Sequence, residues 1–108
     1  MVYTPVYSPS VYSVVESETF RDWFAGLRDP KARARIDARI RRVTLGNLGD
    51  WKALKGGVSE LRIDYGPGYR VYFTRRAGLV ILLLCGGDKR TQAADIRRAV
   101  QMVRTLED

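Results

Sequence analysis

The sequence predicts an α+β fold with an N-terminal strand, a helical hairpin, a three-stranded antiparallel meander and a C-terminal helix packed on the sheet. Apolar residues recur at helical spacing before residue 45, alternate from residue 59, and return to helical spacing after residue 91. With 108 residues, the chain can form one domain with a modest core. We expect residues 11–108 to form this domain and residues 1–10 to form an extended tail.

The first three predicted elements are a strand and two helices. The β-branched and aromatic stretch Val11–Val15 predicts the strand. Ser17 is a candidate N-cap for a helix, and the apolar residues that share one face of this helix are Phe20, Trp23, Phe24 and Leu27. Asp29 followed by proline is typical of a new helix start, which predicts a second helix over Pro30–Leu45.

The second predicted helix has a strongly basic surface. Its cations outnumber the single acidic Asp37; they are Lys31, Arg33, Arg35, Arg39, Arg41 and Arg42. Contact with phosphates, contact with an acidic partner and a solvated face that covers the edge of the core all remain open. Arg39 and Arg42 are candidate RNA contacts.

Residues 47–57 are predicted to form a glycine-rich loop. Lys52 and Lys55 are candidate RNA contacts because a basic loop can hold a phosphate backbone by charge. Trp51 could stack on an RNA base, but packing that anchors the loop is its expected role.

Strict alternation begins at Ser59 and predicts two strands with distinct faces. The inward residues are Leu61, Ile63, Val71 and Phe73, and the residues of the opposite face are Glu60, Arg62, Asp64, Arg70, Tyr72 and Thr74. A three-residue turn at Gly66-Pro67-Gly68 would pair Tyr65 with Tyr69, Asp64 with Arg70, Arg62 with Tyr72 and Glu60 with Thr74.

A turn at Arg76-Ala77-Gly78 is expected to lead into the apolar strand Leu79–Cys85, covered on both faces. The strand should end at Gly86-Gly87, so that Lys89 and Arg90 project from its end. Thr91 is the candidate cap of the last helix, and its apolar stripe is Ile96, Val100, Val103 and Leu106.

Composition narrows the possible functions. The formal net charge is +7, which favours a polyanionic partner such as nucleic acid, an acidic protein or an anionic membrane. The chain has no histidine and one cysteine, which excludes an intrachain disulfide, a zinc site of cysteine and histidine, and histidine acid/base chemistry. We therefore expect no metal and no cofactor. The N-terminal ten residues are unlike a signal peptide, and no apolar run is long enough for a membrane span, so a cytoplasmic location without membrane contact is expected.

Three short motifs resemble the RelE/ParE superfamily of type II toxin-antitoxin toxins. They are Glu60-Leu61-Arg62-Ile63, then Tyr69-Arg70-Val71-Tyr72 after a turn, and Cys85-Gly86-Gly87-Asp88-Lys89 before a helix. The resemblance extends over Val11–Leu106 and is greatest to the HigB-type, phage Gp49-like addiction-module killer proteins. It implies a RelE-like fold.

The resemblance also implies a function. Proteins of this kind are mRNA interferases, endoribonucleases that cut messenger RNA in the ribosomal A site, inhibit translation and need no metal. A cognate antitoxin silences them. We expect this antitoxin to have a helix-turn-helix fold, through which the complex could bind operator DNA.

Matching motif to motif assigns candidate catalytic roles. Arg70 falls on the position expected to stabilise the phosphate, with assistance from Arg62, and Lys89 falls on the basic residue after the last strand. Glu60 is the candidate general base. Tyr72 and Arg90 are further candidate RNA contacts. Ordinary cross-strand pairing is the alternative explanation for Arg62, Arg70 and Glu60.

The sequence does not single out the proton-transfer groups, because the chain has no histidine and no tyrosine beyond Tyr72. Tyr72, Lys89 or ribosomal RNA are candidates. Two alternative functions also remain: a ParE-like inhibitor that binds DNA gyrase without cutting RNA, and a basic nucleic-acid-binding module without catalysis.

Overall fold

A computed structural model describes residues 11–77 and 79–107, so the predicted tail and Gly78 lie outside the described residues. The α+β class is confirmed. The sheet is mixed and has five strands in the order β1-β5-β4-β3-β2, with β1 parallel to β5 and the other pairs antiparallel. The elements are β1 Ser13–Glu16, α1 Glu18–Ala25, α2 Pro30–Thr44, β2 Trp51–Ala53, β3 Ser59–Ile63, β4 Tyr69–Arg76, β5 Val80–Gly87, a 3-10 turn Lys89–Thr91 and α3 Gln92–Glu107.

Both predicted caps of the helical hairpin are confirmed. The Ser17 hydroxyl accepts a hydrogen bond from the Phe20 amide at 2.9 Å and donates one to the Leu84 carbonyl at 2.7 Å. The Asp29 carboxylate accepts from the Lys31 amide at 2.9 Å, and Pro30 opens α2. Each cap satisfies a backbone donor that the helix leaves unpaired, which is typically worth about 1 kcal/mol.

The sheet separates two apolar cores. The first lies under α1 and α2, and its buried members are Phe20, Ile36, Val43, Leu61, Ile63, Val71, Phe73, Ile81 and Leu83. The second lies under α3 and consists of Val58, Tyr72, Leu84, Cys85, Ala99 and Val103. The predicted inward residues of the hairpin and the two-sided covering of β5 are confirmed. Helix α3 also covers the face opposite to the first core, so several polar residues of that face are buried.

The predicted loop over residues 47–57 is wrong at its centre, because Trp51–Ala53 forms the edge strand β2 and pairs with β3. Three residues are too few to show a period of two. The Trp51 ring lies 6.4 Å from the Phe73 ring, yet 39% of Trp51 remains exposed. Trp51 therefore covers the edge of the core rather than anchoring within it.

The predicted hairpin register is wrong by two residues. Arg62 lies opposite Arg70 and Glu60 lies opposite Tyr72, because the turn spans residues 64–68 instead of three residues. Backbone bonds from Tyr65 to the Ile63 carbonyl and from Gly68 to the Tyr65 carbonyl close this longer turn. A shift of two residues leaves every side chain on its predicted face, because residues two positions apart in a strand lie on the same face.

The C-terminal prediction needs three corrections. Strand β5 continues through Gly86 and Gly87, Asp88 caps the 3-10 turn while Thr91 closes the capping box, and Leu106 is 45% exposed. The turn predicted at residues 76–78 also begins later, since Arg76 belongs to β4. Within residues 11–77 and 79–107, no helix has the length and apolarity to cross a membrane.

Candidate active site

A cleft of about 350 Å³ lies where β3 ends and β4 begins. Its lining residues are Asp50, Arg62, Ile63, Asp64, Gly66, Pro67, Gly68, Arg70 and Lys89. Arg62 comes from β3, Arg70 from β4 and Lys89 from the 3-10 turn after β5. The structure thus brings together three of the four candidate catalytic residues, although 27 positions separate the first from the last.

The two arginines of the cleft are directly opposite each other in the sheet. Like charges in this arrangement repel, which ordinarily destabilises a strand pair. Glu60 offsets the repulsion: its Oε2 accepts a hydrogen bond from Arg62 Nε at 3.0 Å, and its Oε1 lies 3.8 Å from Arg70 Nε. The carboxylate therefore orients two cations whose mutual repulsion would otherwise separate them.

Glu60 is buried beneath the cleft rather than on its surface. It is 1% exposed and is not among the lining residues. Gln92, the first residue of α3, donates from Nε2 to Glu60 Oε1 at 3.2 Å. A general base must reach the proton it removes, and this position favours a role in holding the arginines.

The 64–68 turn shapes one wall of the cleft. Arg70 Nη1 donates to the carbonyls of Gly68 at 3.0 Å and Tyr69 at 3.3 Å, which fixes the plane of its guanidinium. A side chain at Gly68 would place its Cβ only 3.2 Å from the stem of Lys89. Glycine at this position therefore allows Lys89 to approach Arg70.

Two acidic residues outside the predicted catalytic set, Asp50 and Asp64, also line the cleft. Asp64 follows β3 directly, and Asp50 lies opposite Arg62, whose amide donates to the Asp50 carbonyl at 2.9 Å. Neither carboxylate forms an ion pair within the part of the chain that the structure describes. Alternation in the hairpin already placed Asp64 on the polar face of the sheet. The position of Asp50 beside the cleft follows only from the pairing of β2 with β3.

Tyr72 lies away from the cleft. It is fully buried in the core under α3, and its hydroxyl has no hydrogen-bond partner within the described residues. Burial raises the pKa of this hydroxyl, and the nearby Glu60 carboxylate raises it further. This position offers RNA no access to Tyr72 and makes it a poor proton donor.

The other candidate RNA contacts are dispersed. Lys52 lies on the edge strand opposite Glu60, and Lys55 follows that strand. Arg90 is exposed and forms an ion pair with Asp88 at 3.0 Å, which lowers the pKa of that carboxyl. Arg42 is exposed on α2 and lines a second, smaller cleft that shares Ile63 and Asp64 with the main one.

Arg39 has a different environment from its neighbours on α2. Its guanidinium donates to the carbonyls of Arg62, Leu48 and Asp50, so it ties α2 to two walls of the cleft. Burial lowers its pKa, which the Asp50 carboxylate partly offsets. These bonds leave Arg39 little freedom to contact RNA directly.

Known proteins provide an independent comparison. The family model described as "Phage derived protein Gp49-like (DUF891)" matches residues 22–104, which is more than half of the chain. The chain belongs to the Gp49-like family. This is a toxin-like family, in agreement with part of the resemblance seen in the motifs.

A relative from Haemophilus influenzae strain Rd, described as "Uncharacterized protein", is 48% identical to this Gp49-like protein over 88 residues. The match covers 82% of this chain and 89% of the relative. The matched family segment contains every residue that lines the cleft.

Proposed function

We propose that this Gp49-like protein is a toxin of a type II toxin-antitoxin system and acts as a ribosome-dependent mRNA endoribonuclease of the HigB kind. The convergence of Arg62, Arg70 and Lys89 on one cleft carries the proposal. Membership of a toxin-like family supports it and implies a cognate antitoxin. The antitoxin's proposed helix-turn-helix fold would also allow the complex to bind operator DNA.

The cations of the cleft suit phosphodiester cleavage by a neighbouring 2′-hydroxyl. In that reaction the 2′-oxygen forms a bond to phosphorus and the bond from phosphorus to the 5′-oxygen breaks. Arg70 and Arg62 stabilise the extra negative charge on the phosphate oxygens, because arginine presents several donors and stays charged. Lys89 donates a proton to the departing 5′-oxygen.

We assign removal of the 2′-hydroxyl proton to Asp64. Glu60 and Tyr72 are buried, whereas Asp50 and Asp64 both line the cleft. Asp50 lies beside Arg39, whose guanidinium donates to the Asp50 carbonyl at 3.1 Å, whereas Asp64 directly follows the strand that carries Arg62. Asp64 is therefore the carboxylate that we place beside the substrate. Attack by the 2′-oxygen leaves a 2′,3′-cyclic phosphate on one fragment. Protonation of the departing oxygen by Lys89 leaves a 5′-hydroxyl on the other.

The decisive experiment compares wild-type protein with two Arg70 variants on a defined message translated by purified ribosomes. Wild type should cut the message at codon-phased positions, and Arg70→Ala should lower the cleavage rate by about 100-fold to 1000-fold. Arg70→Lys keeps the charge beside Glu60 but loses the planar fork, so it should also be impaired while folding normally. Primer extension and thermal melting measure cleavage and folding separately.

Arg41→Gln is the matched control, since Arg41 is an exposed arginine of α2 paired with Asp37 at 2.8 Å. It should cleave like wild type. Cleavage by both Arg70 variants at the wild-type rate would refute the site. Intact messages together with DNA breaks in cells would favour gyrase inhibition, and RNA binding without cleavage would favour a binding module.

A further inference from the structure

Another basic cleft, the α3 cleft, lies between α3 and the loop that follows β2. Its volume is about 400 Å³, and its lining residues are Lys55, Gly56, Arg97, Val100, Gln101 and Arg104. It shares no lining residue with the candidate active site. Lys55, Arg97 and Arg104 supply positive charge, and the lining includes no carboxylate and no aromatic ring.

The loop holds Lys55 against α3. Backbone hydrogen bonds from Leu54 to Val58 and from Val58 to Lys55 close the loop, and the Thr74 hydroxyl donates to the Gly57 carbonyl at 2.7 Å. Gly56 has a positive φ of 66°, and a Cβ there would lie 2.9 Å from a Val100 methyl group. The loop therefore depends on glycine to approach the helix this closely.

The helix spaces its cations along one side. Arg97 and Arg104 are seven residues apart, which is two helical turns and about 10 Å along the axis, with Gln101 between them. All three basic side chains of the cleft are exposed. They form no ion pair with the carboxylates whose side chains are described, unlike Arg41, Arg62 and Arg90. This clustering of like charges favours a bound anion.

We propose that this α3 cleft binds the phosphate backbone of helical RNA. Lysine, arginine and glutamine side chains supply donors to phosphate oxygens, which position a protein on nucleic acid without reading its sequence. A site for single-stranded RNA would offer aromatic rings for base stacking, and this cleft has none. Helical RNA is instead recognised by its backbone and shape.

An acidic peptide fits the α3 cleft less well. Peptide recognition usually relies on apolar anchors that insert into pockets, with charge as a secondary contribution. Val100 is the one large apolar side chain of the lining, and it is partly buried against its own core. Charge complementarity without such anchors suits a polyanion whose charges are evenly spaced along a rigid backbone.

The test measures binding of a fluorescein-labelled RNA hairpin by anisotropy at several salt concentrations, with no ribosomes present. Lys55→Gln/Arg97→Gln should weaken binding at least tenfold and reduce the slope of log K against log salt by about one to two, since each lost phosphate contact lowers it by about 0.9. Binding of an unstructured oligouridylate should change less. Both substitutions are at exposed positions, so circular dichroism and melting should be unchanged.

The matched control is Arg21→Gln/Arg41→Gln, which removes two positive charges from α1 and α2 on the opposite side of the sheet. It should retain the hairpin affinity of wild type to within about twofold. An equal loss in the control would mean that overall charge, rather than the α3 cleft, binds RNA. Unchanged hairpin binding by the Lys55→Gln/Arg97→Gln variant would also overturn the proposal. So would a variant that loses more affinity for poly-glutamate, measured in the same way as an acidic-peptide probe, than for the hairpin. The result does not depend on whether the protein cleaves messages.

Discussion

The Glu60 carboxylate lies at the centre of a group of polar side chains comprising Arg62, Arg70 and Gln92. Removing one member of a buried charged group leaves the others without a partner, which costs more than the group contributes when intact. We therefore interpret Glu60 as a residue that positions the arginines. The same reasoning explains why an Arg70→Lys variant is a better test of the active site than Arg70→Ala alone.

Asp64 provides the sharpest residue-level test of the proposed chemistry. Asp64→Asn keeps the size of the side chain but cannot accept the 2′-hydroxyl proton, so message cleavage should fall by about 100-fold to 10,000-fold. The cleavage rate in the purified translation assay measures this effect. RNA affinity should not fall, since the substitution removes a negative charge from a cationic cleft.

Asp50→Asn is the matched comparison for Asp64, because it makes the same chemical change in the same cleft. We expect it to lose much less activity. A greater loss for Asp50→Asn would transfer the proton-acceptor role to Asp50, and near-normal cleavage by both variants would exclude an aspartate base.

At the level of elements, two consecutive glycines let helices approach both faces of β5. A Cβ at Gly86 would lie 2.3 Å from the Trp23 ring of α1, and one at Gly87 would lie 1.9 Å from the Asp95 carboxylate of α3. Trp23 also meets the Tyr69 ring edge-on, with ring centroids 6.3 Å apart. This end of the strand is therefore sandwiched between side chains that leave no room for a methyl group.

Gly86→Ala should destabilise the protein because the Trp23 ring is rigid and has to move. We expect a loss of about 1–3 kcal/mol in the free energy of unfolding, measured by chemical denaturation. Gly26→Ala is the control: Gly26 ends α1 with φ of −79°, and its nearest contact would be an ordinary 3.4 Å. A Gly86→Ala protein as stable as the Gly26→Ala protein would contradict the packing described for this strand.

At the level of the whole molecule, the sheet is covered by α1 and α2 on one face and by α3 on the other. The cleft lies at the edge of this three-layer arrangement, where residues from β3, β4 and the turn before α3 meet. The geometry of the cleft consequently depends on both cores. Arg39 strengthens this dependence by linking α2 to the carbonyls of Arg62 and Asp50.

The rate at which a thiol reagent labels Cys85 measures how often the folded structure opens. It is 1% exposed in the core under α3, and burial raises the pKa of its thiol to about 11. A thiol reagent attacks the thiolate, so at pH 8 labelling should require opening of the structure. We expect labelling at least about 1000-fold slower than in denaturant, as the stability of a typical domain implies.

Labelling of Cys85 should accelerate with denaturant as global unfolding becomes more frequent. Labelling of the folded protein at the rate of the unfolded chain would show that α3 does not cover the sheet in solution. The raised pKa also predicts a pH dependence. The contribution of the thiol to stability is complete below pH 9, its ordinary pKa, and is lost as the pH rises towards 11.

Features that depend on near neighbours in the chain were predictable from the amino-acid sequence. Ser17 and Asp29 cap their helices through bonds to amides two or three residues away, and strict alternation assigned the inward face of the hairpin. These features follow from local hydrogen bonding and from the geometry of an extended chain. The family resemblance similarly depended on short motifs in a fixed order.

Which element covers each face of the sheet depends on contacts between residues that are far apart in the sequence. Periodicity placed Glu60 and Tyr72 opposite the first core, but α3 determines that both are buried there. The two-residue error in register had the same origin, because the 64–68 turn and the pairing with β2 involve contacts that alternation does not encode. The same long-range contacts place Asp50 at the cleft and Arg62 opposite Arg70.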